Sequence, residues 1–106
     1  MSKWFAFDDG RSIGKTGAEG GVILRDEEHK QGVRITLKKS SKFISVSCNI
    51  YGWMDHTRFF TTITEAQREF ILMRSALGNM IENVLSTDTK DIKVWEEISQ
   101  FVRRFP

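Results

Sequence analysis

The feature that most constrains this chain is a change in the period of its hydrophobic residues. From Val33 to Lys38, apolar and polar residues alternate strictly. An extended backbone sends Val33, Ile35 and Leu37 to one side and Arg34, Thr36 and Lys38 to the other. The alternation resumes from Phe43 to Tyr51, with Ile44, Val46, Cys48 and Ile50 on one face and Phe43, Ser45, Ser47, Asn49 and Tyr51 on the other. From Ala66 onward the spacing lengthens to three and four: Ala66, Phe70, Met73, Leu77, Met80 or Ile81, and Val84 fall on one stripe of a helix of about five to six turns. Half-buried strands followed by an amphipathic helix predict an α+β domain with segregated layers.

The remaining elements follow from local signals. Trp4–Phe7 is a short aromatic-rich strand, and five glycines between Gly10 and Gly21 mark a long loop. Val22–Arg25 reads as a second strand, followed by a polar connection from Asp26 to Gly32 in which His29 is a solvated turn residue. Lys39–Lys42 is a short connection, which favours an antiparallel hairpin because a parallel pair needs a crossover of a dozen or more residues. Gly52 interrupts the pattern, and Thr57–Thr62 supplies a fifth strand. Thr64 and Gln67 fit a capping box at the start of the long helix, and Gly78 within it points to a close approach by the sheet. After a polar break at Ser86–Lys90, the residues Val94, Trp95, Ile98, Phe101, Val102 and Phe105 give a second, shorter helix. Glu96 and Glu97 come early in it and Arg103 and Arg104 late, the order that suits the helix dipole. The expectation is an antiparallel meander of four to five strands with both helices packed on one face.

Length confines this to a single domain over residues 1–106, with no repeat and no internal proline to mark a linker. The longest apolar run, Phe70–Met73, is far short of a membrane span of roughly 20 residues. Asp8 and Asp9 interrupt any signal-peptide core, so a cytoplasmic location is the expectation. One cysteine rules out an internal disulfide, and Cys48, His29 and His56 are too few for a four-ligand structural zinc site. No cofactor is expected. The net charge is only +2, yet residues 30–58 hold six basic side chains (Lys30, Arg34, Lys38, Lys39, Lys42, Arg58) against one acidic, Asp55.

Three constellations bear on function. Gly10–Thr16 is reminiscent of a phosphate-binding loop, but three residues rather than four separate its glycines, and the glycine-rich stretch after Lys15-Thr16 cannot start the helix that such a loop needs. Tyr51–Arg58 crowds a phenol, an indole, a carboxylate, an imidazole and a guanidinium into eight residues. Asp55 and His56 are sequence neighbours, however, and in extended chain they face opposite ways, which makes them a poor acid–base pair. Cys48 shares its face with Ile44, Val46 and Ile50 and reads as apolar filling whose thiolate is disfavoured. The third constellation is the polar face of the sheet. With the adjoining loop it presents Arg34, Lys38, Lys39, Lys42, Tyr51, Trp53, His56 and Arg58, a mixture of cations and rings of the kind that tracks phosphates and stacks bases. Twelve aromatic residues are many for one small core, which also points to a buried subunit interface. The sequence therefore favours a non-enzymatic binding or assembly domain that is homo-oligomeric. A module for single-stranded DNA or RNA ranks second, an enzyme built on Asp55, His56 and Arg58 together with the Gly10–Gly21 loop ranks third, and no membrane role is expected.

Overall fold

The computed structural model describes residues 3–17, 20–85 and 91–106. The chain is an α+β domain. Five antiparallel strands run β1 (Trp4–Ala6), β2 (Val22–His29), β3 (Val33–Lys39), β4 (Ile44–Ile50) and β5 (Met54–Phe60), and they lie in the sheet in that same order. Two helices follow, α1 (Ile63–Leu85) and α2 (Asp91–Arg104). The expected polar break at 86–90 lies outside the described residues.

The alternation in β3 and β4 places side chains as their period requires. Val33, Ile35, Leu37 and Val46 are fully buried, and Ile44, Cys48 and Ile50 nearly so, beneath the stripe of α1 formed by Ala66, Phe70, Met73 and Leu77. Ile98, Phe101 and Phe105 close one end of this core. Burial lifts the Cys48 thiol to about 12, and nearby Asp55 pushes it the same way. Cys48 is therefore a protonated filler.

The helix begins two residues earlier than its capping signal suggested. Thr62, not Thr64, caps it: the Thr62 hydroxyl accepts from the Glu65 amide at 3.3 Å, and Glu65 itself stands three residues on. Both threonines fit the pattern locally. Phe60 settles the choice, because its burial at the end of β5 fixes where the chain must turn. The fifth strand likewise starts earlier than expected, at Met54. A tight turn over Tyr51–Trp53, closed by Trp53 N donating to Ile50 O at 2.9 Å with Gly52 at φ +83°, brings the chain straight back.

The largest difference lies at Asp26–Gly32. β2 does not stop at Arg25 but runs on to His29, pairing Glu27 with Ile35 and His29 with Val33. Its inward-facing residues are Arg25, Glu27 and His29, so no apolar alternation marks the strand. The helix accommodates them with a second stripe at four-residue spacing: Arg74, Gly78 and Glu82. Arg74 binds Glu27 at 2.6 Å, and Arg25 binds the same carboxylate at 3.0 Å while lying 4.5 Å over the Phe70 ring. Gly78 admits the Trp4 indole so closely that a Cβ there would sit 3.1 Å from Nε1, so the expected close approach is made by β1.

His29 is 1% exposed and is no turn residue. Its Nδ1 accepts from the Gln31 amide at 3.2 Å, its ring meets Trp4 edge-on, and Nε2 lies 3.8 Å from Glu82, which also binds Lys3 at 3.2 Å. Burial lowers the His29 pKa from its ordinary 6.5, Glu82 opposes this and Lys3 adds to it. The unfolded chain thus takes up a proton at a pH where the folded chain resists it, so stability falls as pH drops through and below about 6.5. Urea unfolding between pH 8 and pH 5 is expected to show this loss, and His29→Phe to flatten it. An unchanged profile in the variant would assign the acid sensitivity to other groups.

Candidate functional site

The sheet's outer face, opposite the helices, is half covered by the chain's own N-terminal arm. A bulge in β2 between Ile23 and Arg25 reverses the facing of the strand, so Ile23 pairs with Lys38 and turns outward where it is still 6% exposed. The arm shields it. Gly14 N donates to Ile23 O at 2.8 Å, Ile23 N donates to Lys15 O at 2.9 Å, and Thr16 bridges Val22. Gly17 crosses Lys38 so closely that a Cβ would come within 2.6 Å of the lysine Cδ, so only glycine fits without moving that side chain. The glycine-rich loop is therefore a cover over the sheet. Among the described residues no helix starts directly after Lys15; Thr16 instead bridges Val22.

A buried carboxylate fixes the arm in place. The Asp26 side chain is 0% exposed and accepts three bonds: from Arg34 Nε at 2.9 Å, Arg34 Nη2 at 2.7 Å and Thr36 Oγ1 at 3.0 Å. The two arginine bonds form the bidentate fork that suits a carboxylate. Phe7, in the short helical turn after β1, lies on the far face of the guanidinium, with its ring centre 3.6 Å from Cζ. The bond to Asp26 raises the Arg34 pKa above its ordinary value against the opposing effect of burial.

Beyond the arm the outer face opens into a groove of about 460 Å³. Across it run Thr36 and Lys38 of β3, Ser47 and Asn49 of β4, and Asp55 and Thr57 of β5. Neighbours along its floor satisfy one another: Ser47 and Thr57 share a hydrogen bond of 3.0 Å, and Asn49 donates to Asp55. The Asn49 Oδ1 atom is buried and has no donor among the described residues. Lys38 has no carboxylate within ion-pair distance among those residues either. At one end of the face Phe43 and Phe59 meet edge-to-face at 5.4 Å, with Phe59 64% exposed. At the other end Tyr51 donates to Glu28 at 3.2 Å, and burial and that carboxylate both raise its pKa.

The eight residues singled out in the sequence do not form one site. Arg34 and Lys38 line the groove, Arg34 already engaged by Asp26. Lys39 and Lys42 are exposed around the β3–β4 hairpin, and Tyr51 is exposed at the opposite end of β4. Trp53, His56 and Arg58 belong to the helical side. Trp53 packs edge-on against Trp95 of α2, His56 Nε2 lies 2.6 Å from Phe105 O, and Arg58 binds Glu69 at 2.7 Å and Pro106 O at 3.2 Å. Trp53, in the turn before β5, and His56 and Arg58 of β5 tether α2 and the residues after it, and Arg58 also ties β5 to α1. Asp26, Asp55 and Thr57 were missed as parts of the outer face. For Asp26 the only local signal was its position two residues from Glu28, opposite the cations of the next strand. Among the described residues no group of three or more His, Cys, Asp or Glu side chains is placed to hold a metal ion.

Removing one member of a buried ion pair leaves the other desolvated and alone. Breaking a buried pair in this way costs roughly 3–5 kcal/mol, and Asp26→Leu is expected at the low end, about 3 kcal/mol in urea unfolding, because Arg34 remains partly exposed. Asp26→Leu combined with Arg34→Met is expected to cost less than Asp26→Leu alone, and equal or greater loss in the double variant would show that the pair does not act as a unit.

Comparison of the chain with protein-family models, with curated proteins and with solved structures gives no match.

Proposed function

We propose that this chain is a non-enzymatic binding domain, working as a homo-oligomer, whose ligand is held on the outer face of the sheet. The observation that carries this reading is the groove over β3, β4 and β5, where Thr36, Ser47, Asn49 and Thr57 are set on paired strands beside Lys38, a cation without a partner carboxylate among the described residues. Its volume falls within the roughly 300–1,000 Å³ of ligand sites, and rigid strands hold polar groups more exactly than loops do. The groups best able to act as nucleophile or base turn the other way. Cys48 and His56 border the groove, but register sets their side chains with His29 on the helical side, where His29 and Cys48 are buried and His56 is next to the Phe105 carbonyl. Exposed apolar side chains at Phe59, Ile92 and Trp95 support assembly.

Single-stranded nucleic acid is the second reading, favoured by the Phe43–Phe59 ring pair beside Lys38 and Lys42. Charge places it second. Asp26 offsets Arg34, and Asp55 adds a negative charge to the same face, so few cations remain to release counterions from a phosphate backbone.

Fluorescence anisotropy with labelled single-stranded oligonucleotides at about 50 and 200 mM salt decides between the two ligand classes. Weak binding that Lys38→Glu leaves unaltered is the expected result. Tight, salt-sensitive binding lost in Lys38→Glu and Phe59→Ala would replace the first reading by the second. Sedimentation at tens of micromolar tests assembly, with a mass above the 12.3 kDa monomer expected.

A further inference from the structure

The two edges of the sheet are finished differently. On one side β1 is three residues long, and Gly14–Thr16 of the arm bond the part of β2 that β1 leaves uncovered. On the other side β5 presents seven residues, Met54–Phe60, whose only strand neighbour among the described residues is β4. No backbone bond from another described segment reaches its outer edge. Soluble proteins guard such edges with charged side chains, above all lysine, with inward-pointing charges, proline or a bulge, or with a cover. β5 has no lysine and no proline, and its register with β4 runs without a break from Ile44–Phe60 to Ile50–Met54. Its two charged side chains are both engaged within the chain, Asp55 by Asn49 and Arg58, the one inward-pointing charge on this edge, by Glu69 and Pro106 O.

From this we infer that β5 is the subunit interface, pairing antiparallel with β5 of a second copy about a two-fold axis through Thr57. The inference rests on the homo-oligomeric reading above and names its surface. The strand is self-complementary in that register. Thr57 meets Thr57, Asp55 meets Phe59, Met54 meets Phe60 and His56 meets Arg58, so neither carboxylate faces carboxylate nor guanidinium faces guanidinium. A shift to a two-fold through Arg58 would set the two guanidiniums against each other. Pairing through Thr57 also makes one ten-stranded sheet whose two outer grooves lie side by side and gives Phe59, 64% exposed in the single chain, a neighbouring strand.

Sedimentation velocity at tens of micromolar, combined with cysteine trapping, tests this. The wild-type chain is expected at twice 12.3 kDa, and Phe59→Lys and Thr57→Lys at 12.3 kDa with unchanged far-ultraviolet circular dichroism. Thr57→Cys is expected to form a covalent dimer on mild oxidation, while Ser99→Cys, on the exposed side of α2, is not. A dimer that survives both lysine variants and leaves Thr57→Cys uncrosslinked overturns the β5 assignment and spares the homo-oligomeric reading. A wild-type chain that is monomeric overturns both.

Discussion

The structure depends on a carboxylate that has been taken out of water. Asp26 stands on the outer face of a strand, the side that a five-stranded meander would ordinarily leave wet. Burying it without partners would cost several kcal/mol. Arg34 and Thr36 on the adjacent strand supply three bonds, and Phe7 closes over the guanidinium. That one cluster joins β2 and β3 to the turn that follows β1. It also holds the arm where it can shelter Ile23 and define the rim of the groove.

The two faces divide the work accordingly. The inner face is dry over β3 and β4, where aliphatic side chains meet the apolar stripe of α1, and charged over β2, where Glu27 is shared between Arg25 and Arg74. His56 and Arg58 of β5 fasten the residues that follow α2 through main-chain carbonyls, an arrangement that occupies both side chains. The outer face is apolar and closed at Ile23, ionic at Asp26 and Arg34, and open beyond. Function is therefore best sought where the sheet is open, over Lys38, Ser47, Asn49 and Thr57.

What could be read from the sequence was what one period imposes on a whole segment. Val33–Lys38 and Phe43–Tyr51 declared their inner faces because burial there is purely apolar, and the long helix did so through Phe70, Met73 and Leu77. β2 could not be read past Arg25, because its inward residues are two charges and a histidine whose partners lie far along the chain. Glu27 is 47 residues from Arg74, and His29 is 53 residues from Glu82. Long-range ion pairing leaves no local period. The same reason hid the roles of His56 and Arg58, whose partners Phe105 and Pro106 are 49 and 48 residues away. The cap at Thr62 was obscured by a second threonine two positions on, and only the burial of Phe60 separates them. The groove was legible only in part: Arg34, Thr36, Lys38, Ser47 and Asn49 share a face by alternation, but the arm that walls it in is tied down by backbone bonds that side-chain patterns do not record.

Native-state hydrogen exchange compared between the wild-type chain and Arg34→Leu tests most directly whether the Asp26–Arg34–Phe7 cluster holds the arm to the sheet. The amides of Gly14 and Ile23, which bond arm to strand, are expected to be protected in the wild-type chain and to lose most of that protection in the variant, while the amides of β3 and β4 keep theirs. Gly14 and Ile23 exchanging at unprotected rates in the wild-type chain, or remaining equally protected without Arg34, would contradict the account.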